Sequence, residues 1–277
     1  MPRKYLRQRR RSSKKDRRPK SKKMRGGVTL KAQDLKRLPE DVFGEIREMH
    51  PLLTTKLNNL TLRHAIKDYL SSNVKDKRFI IYKYGEIGDW DVSNVTNMSS
   101  MFASAISFNQ PLNNWNVSNV TSMNYMFRDA QSFNQSLNKW NVSNVTNMES
   151  MFEYAESFNQ PLNKWNVSNV KNMWCMFAAS TFNQPINKWN VSNVTSMVEM
   201  FFNNQAFNQP LNNWDVSNVT DMYGMFDGAL SFNQPLNKWN VSNVTSMDFM
   251  FINIQNENQD RSFSRSHAPW YWGDNGD

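Results

Sequence analysis

Pairs of methionine three residues apart occur seven times, from Met98 and Met101 to Met247 and Met250, and account for 14 of the 17 methionines. Paired thioethers are soft ligands that suit copper(I). Each pair shares its spacing with Phe and Ala, as Met148 and Met151 do with Phe152 and Ala155. The expected role is therefore packing, since Met fills irregular gaps. His50, His64, His267 and Cys175 are too few and too scattered for a zinc site of ordinary ligand spacing. No P-loop and no G-x-G-x-x-G occurs. No local motif suggests a Ser/His/Asp set, and most Ser belong to a recurring S-N-V. The expectation is a chain that is not an enzyme, with no cofactor and no metal.

Binding chemistry is better represented. Residues 1–25 carry 14 Lys and Arg against one Asp, whereas the whole chain is net +9, so the remainder is net negative. Arg9, Arg10, Arg11, Lys14, Lys15, Arg17 and Arg18 form a run that repels itself and is expected to be disordered. Such an arm suits nucleic-acid phosphates or nuclear import, through non-specific and salt-dependent contacts. A second set of cations precedes repeated tryptophans: Lys139, Lys164, Lys188 and Lys238. With the Asn that follows each Trp they make a uniform ladder, suited to amide stacking or to a repetitive polyanion. A third set is aromatic and varies from copy to copy: Tyr125, Tyr154, Trp174, Phe202, Tyr223 and Phe249. Aromatics at solvent-facing positions are typical of protein interfaces. Asn-Val-Ser and Asn-Val-Thr match glycosylation sequons but are read as turn and ladder asparagines.

These residues are positioned by one sentence written seven times between 90 and 256. The repeat tryptophans are Trp90, Trp115, Trp140, Trp165, Trp189, Trp214 and Trp239; the fourth copy is one residue short, between Phe177 and Phe182. A fixed period of this length indicates stacked units that share a core. Within a unit, Trp140 and Val142 alternate as in a strand. Met148, Met151, Phe152 and Ala155 fall at i, i+3, i+4 and i+7, one face of a helix. Thr146 and Glu149 fit a capping box at its start, and Pro161 closes the unit. The fold class expected is α/β: a curved leucine-rich-repeat solenoid of seven strand–turn–helix repeats, with strands concave and the aromatic helix face convex.

The pattern L-x-x-W-x-V-S-x-V-T-x-M-x-x-M-F-x-x-A-x-x-F resembles the BspA-like leucine-rich repeats. It is closest to the 25-residue W-D-V-S-N-V-T-x-M form common in mycoplasma surface proteins and large DNA viruses. The resemblance implies a binding or adhesion module and no catalytic residues to carry over.

Four segments are expected: a basic arm at 1–27, a helical N-terminal cap at 28–88, the repeats at 89–256, and a C-terminal cap and tail at 257–277. In the cap, Pro39 opens a helix with Val42, Ile46 and Met49 on one face, and a second runs from about Thr61 to Leu70. Phe79–Tyr82 reads as a short strand or a last helical turn. LPEDVFGEI is similar to the start of an F-box. The tail brings Trp270, Tyr271 and Trp272 back onto the last repeat, with a linear docking motif as the alternative.

No run approaches 18 apolar residues, so no membrane span is expected. No apolar signal region follows the charged start, and the single Cys suits a reducing compartment. Together these imply an intracellular, perhaps nuclear, scaffold that binds a protein partner, with nucleic acid engaged by the arm. A ubiquitin-ligase adaptor, a surface adhesin and a virion structural protein are the alternatives. Nothing in the sequence indicates the oligomeric state.

Overall fold

The computed structural model describes residues 56–254 and 265–271. The arm with its seven cations, the expected helix near Leu38–Met49 with its F-box-like stretch, the segment Glu257–Asp260 and Trp272 lie outside the described residues.

Helix α1 spans Asn59–Leu70. Asn58 caps it: its side chain accepts from the N–H groups of Leu60 and Thr61, and the Thr61 hydroxyl accepts from the Asn58 N–H. Leu62, Ala65, Ile66 and Tyr69 form its buried stripe. Helix α2 spans Val74–Tyr84, starts at the Asn73 cap and stops at Gly85, whose φ of 81° only glycine adopts freely. Phe79–Tyr82 is thus helical. Together α1 and α2 cover one end of the repeats. The Asn59 side chain accepts from the Thr96 and Asn97 N–H groups, and the Arg63 guanidinium donates to the Ser99 carbonyl.

The strand–turn–helix repeat does not form. Among the described residues there is no strand, no sheet and no helix inside any repeat; each copy is a coil of turns. The nearest thing to a ladder is a chain of single-residue parallel bridges, Asn97–Ser122–Asn147–Asn172–Ser196–Asp221–Ser246. Thr146 and Glu149 cap nothing: the Thr146 hydroxyl donates to the Thr121 carbonyl, and the Glu149 N–H donates to Asn147.

The third coil, about residues 137–161, shows why. Its turns close through Trp140 N–H to Leu137 O, Val145 to Val142, Met151 to Met148, Ala155 to Phe152 and Phe158 to Ala155. The alternate donors leave the coil. Met148, Ser150, Phe152 and Tyr154 donate to the carbonyls of Asn172, Trp174, Met176 and Ala178 in the next coil, while Thr146 donates back to Thr121 in the one before. Neighbours bonded this way sit about 4.8 Å apart, whereas packed helices need about 8–10 Å. A helix in each copy would pull the coils apart on one side and leave the other side's bonds unmade. The M-x-x-M-F-x-x-A segment instead takes two left-handed residues per coil, four apart, such as Ser150 (φ 50°) and Tyr154 (φ 56°). These swing every second N–H out to the next coil and keep Met148, Met151, Phe152 and Ala155 fully buried. Strand and helix being absent, the expected concave sheet and convex helix face have no counterpart.

Three aromatic ladders fill the core. Phe102, Phe127, Phe152, Phe177, Phe201, Phe226 and Phe251 stack with centroids 5.4–5.9 Å apart. A second Phe ladder begins Phe108, Phe133, Phe158, Phe182. The indoles form the third, as in Trp140–Trp165 at 6.5 Å. Each indole N–H also donates to a carbonyl of the preceding unit, Trp140 to Leu112 and Trp165 to Leu137, a bond that Leu cannot make. Trp270 extends the ladder: it stacks on Trp239 at 5.9 Å and donates to the Leu236 carbonyl.

Candidate binding face

The exposed surface of the coils is mostly monotonous. The Asn of each S-N-V donates to the Ser carbonyl of the coil before, as Asn144 does to Ser118. The Asn of each F-N-Q accepts from the next coil's Asn N–H and Gln amide; Asn134 receives Asn159 and Gln160. The Asn after each Trp turns the chain by accepting from the second residue on, Ser143 onto Asn141. The sequon asparagines are therefore structural ladder residues. Lys139, Lys164, Lys188 and Lys238 are all exposed on this regular part, at the turn before the Trp. The Lys139, Lys164 and Lys238 N–H groups donate to Asn113, Asn138 and Asn212. A hollow of about 360 Å³ next to Lys238 also takes in Asn212, Trp214 and Asn240.

One face differs. It is made by the turns around the two left-handed residues, and it carries all six aromatics singled out by sequence. Tyr154, Trp174, Tyr223 and Phe249 are 37–44 % exposed, and Tyr125 and Phe202 are half-buried. They do not form a single helix stripe. Tyr125 and Phe249 occupy the first left-handed position (φ 58° each) and Tyr154 the second, while Trp174 and Tyr223 follow the first Met of their coils. Tyr223 and Phe249 meet edge-on at 5.3 Å. The left-handed positions carry Ser, Tyr, Cys, Glu, Phe, Asp, Ala, Asn and Gly in different coils, whereas the ladder asparagines barely change.

Charge is sorted by face as well. Of the nine acidic residues between 92 and 254, eight lie on the turn face, Asp215 being the exception. Its cation Arg128 pairs with Glu153 at 2.8 Å and lies over the Tyr125 ring at 5.8 Å. Tyr125 donates its hydroxyl to Glu149, and that carboxylate holds its phenol up to about 12. Burial, then the Glu199 carboxylate its Sγ–H donates to at 3.2 Å, pushes the Cys175 thiol far up, so it is no nucleophile. On the regular side Asp91 and Asp215 are held below the usual carboxylate range by Ser93 and Ser217, which donate to them.

Three hollows run along the turn face, of about 590, 480 and 250 Å³. The first is walled by Tyr125, Asp129 and Tyr154, the second by Tyr154, Glu156 and Asn203, the third by Phe202, Asn203 and Asp227. Sequence reasoning found the rings but not the hollows, which depend on the left-handed corners at Ser104, Asp129, Ala179, Asn203 and Gly228. The one available signal was that positions four apart in each copy tolerate Gly, Asn, Asp and Ser. Among the described residues no group of three or more His, Cys, Asp or Glu could hold a metal ion, and no helix is long and apolar enough to cross a membrane.

A family model described as "Mycoplasma protein of unknown function, DUF285" matches the chain over residues 72–181 and again over 164–264, together more than half of its 277 residues. No curated protein and no solved structure matches it.

Proposed function

We propose that this chain, which belongs to the DUF285 family of mycoplasma-type repeat proteins, is a non-catalytic binding module that recognises a protein partner with its turn face. The observation that carries this reading is the contrast between faces. Residues that hold the stack together recur in every coil, while rings and charges on the turn face change from coil to coil. A surface free of stacking duties is free to diversify, and exposed rings beside hollows are the usual anchors of an interface. The basic arm adds a separate, salt-dependent contact to nucleic acid or import machinery. The finer likeness to BspA-like repeats belongs to this proposal too, and it rests on the W-x-V-S-N-V-T-x-M motif alone.

The test is affinity capture with the full chain and with a Tyr154→Ala/Trp174→Ala/Tyr223→Ala variant. Tyr125 is left in place because its hydroxyl and ring already engage Glu149 and Arg128. Proteins captured by the parent and lost by the variant are the expected result. Identical captures from both would place recognition elsewhere.

A further inference from the structure

The three hollows share a construction. Each has an aromatic wall and a carboxylate: Tyr125 with Asp129, Tyr154 with Glu156, Phe202 with Asp227. A ring face beside a carboxylate is the chemistry that receives a Lys or Arg side chain, by cation–π attraction and ion pairing. The face already holds one such group, the Arg128 guanidinium between Tyr125 and Glu153. The hollows also have a period. They are centred on the second, fourth and sixth coils, so at about 4.8 Å per coil they recur roughly every 9.6 Å.

A chain in polyproline II conformation puts every third residue on the same side, about 9.3 Å apart. A ligand matched to these hollows is therefore an extended segment with a cation at every third residue. The chain contains one: Arg11, Lys14, Arg17, Lys20 and Lys23 are spaced by three, with Pro19 among them. Residues 24–55 separate it from the first described coil. At about 3.3 Å per residue extended, or about 1.5 Å helical, they can bring it to any point of a stack roughly 30 Å long.

We propose that the turn face binds the chain's own segment 11–23, with one basic side chain in each hollow. This rests on the reading of the turn face as a recognition surface and names an occupant for it. The occupied state withholds the arm's cations from polyanions and covers the face, so a polyanion for the arm and a protein for the face each favour release of the other. An arm docked nine-tenths of the time weakens its apparent affinity for a polyanion about tenfold.

The experiment is carbodiimide coupling of the full chain, which joins amines to carboxylates in direct contact, on a mixture of isotope-labelled and unlabelled protein. Links from Lys14, Lys20 or Lys23 to Asp129, Glu156 or Asp227, within one molecule and lost at high salt, are expected. Links to Asp68, Asp91 and Asp215 in equal yield, or links only between labelled and unlabelled chains, overturn the proposal. A second measurement uses inorganic polyphosphate as the ligand. Asp129→Asn/Glu156→Gln/Asp227→Asn should bind it about tenfold tighter than Asp68→Asn/Asp91→Asn/Asp215→Asn, which changes the net charge equally; equal affinities overturn it. The two readings fail separately. Arm links elsewhere, with capture still lost in the triple alanine variant, remove the occupant and leave the recognition surface. Arm links in the hollows, with capture unchanged, do the reverse.

Discussion

Asn204 shows how one residue repairs a break in the pattern. Most coils place Ala at this point, as at Ala130, Ala155 and Ala229, but the fourth copy is a residue short and carries Ser180. Asn204, fully buried in the fifth coil, fills the gap. Its amide donates to the carbonyls of Phe177 and Phe182 and to the Ser180 hydroxyl, and its oxygen accepts from Ala206 and Phe207. Asn204→Ala restores the residue of the other coils yet leaves buried groups unpaired, so it should cost about 2–3 kcal/mol in denaturant unfolding. Tyr125 gives a pH signature at the same scale. Its ionisation is raised in the folded state, from 10.0 to about 12, chiefly by the Glu149 hydrogen bond. The neutral phenol is the form that folding favours, so its contribution is fully present below pH 10 and is lost as the pH rises through 12. Melting curves of the parent and of Tyr125→Phe, taken from pH 9 upward, should converge across that window.

At the level of the coil, the left-handed positions carry the main cost. A non-glycine residue there loses roughly 1–2 kcal/mol, and the described coils carry twelve, with Gly only at Gly224 and Gly228. Ser104→Gly, at an exposed site with φ 56°, should stabilise by about 0.5–1 kcal/mol once the glycine's greater chain entropy is subtracted. Gly228→Ala, with φ +70° and a new Cβ only 3.3 Å from the Asn203 backbone, should destabilise by at least about 1 kcal/mol. Urea titrations of both variants decide the sign.

The same corners mark where the sequence stopped being legible. The period, the number of copies and the buried set were readable, because Trp, Val, Met and Phe recur where a shared core needs them. The element type was not: spacing of i, i+3, i+4 and i+7 looks the same whether a segment is an α-helix or two linked turns. Only the partners of its N–H groups separate the two, and those lie 24 or 25 residues away, as in Ser150 to Trp174. The six aromatics were legible as one variable surface. Their hollows were not, because left-handed corners at residues such as Tyr154 and Ala179 leave no residue-type signature.

Across the whole molecule, the stack has different ends. Helix α1 covers the first coil through Asn59 and Arg63, and Trp270 supplies an eighth rung beyond Trp239. In a stack where each unit leans on its neighbours, loss of an end rung weakens the nearest coil first. Trp270→Ala should therefore speed amide exchange in the seventh coil, at Met250 and Ile252, and leave Phe152 in the third protected.

The claim on which the functional account stands is that the turn-face rings take no part in holding the stack together. Equilibrium unfolding of the Tyr154→Ala/Trp174→Ala/Tyr223→Ala variant tests it most directly. The account predicts a stability within about 1 kcal/mol of the parent, because these side chains are 37–44 % exposed and the ladders beneath them remain complete. A loss of more than about 3 kcal/mol, the range of core truncations, would mean that the rings belong to the core and that this face is not free to receive a partner.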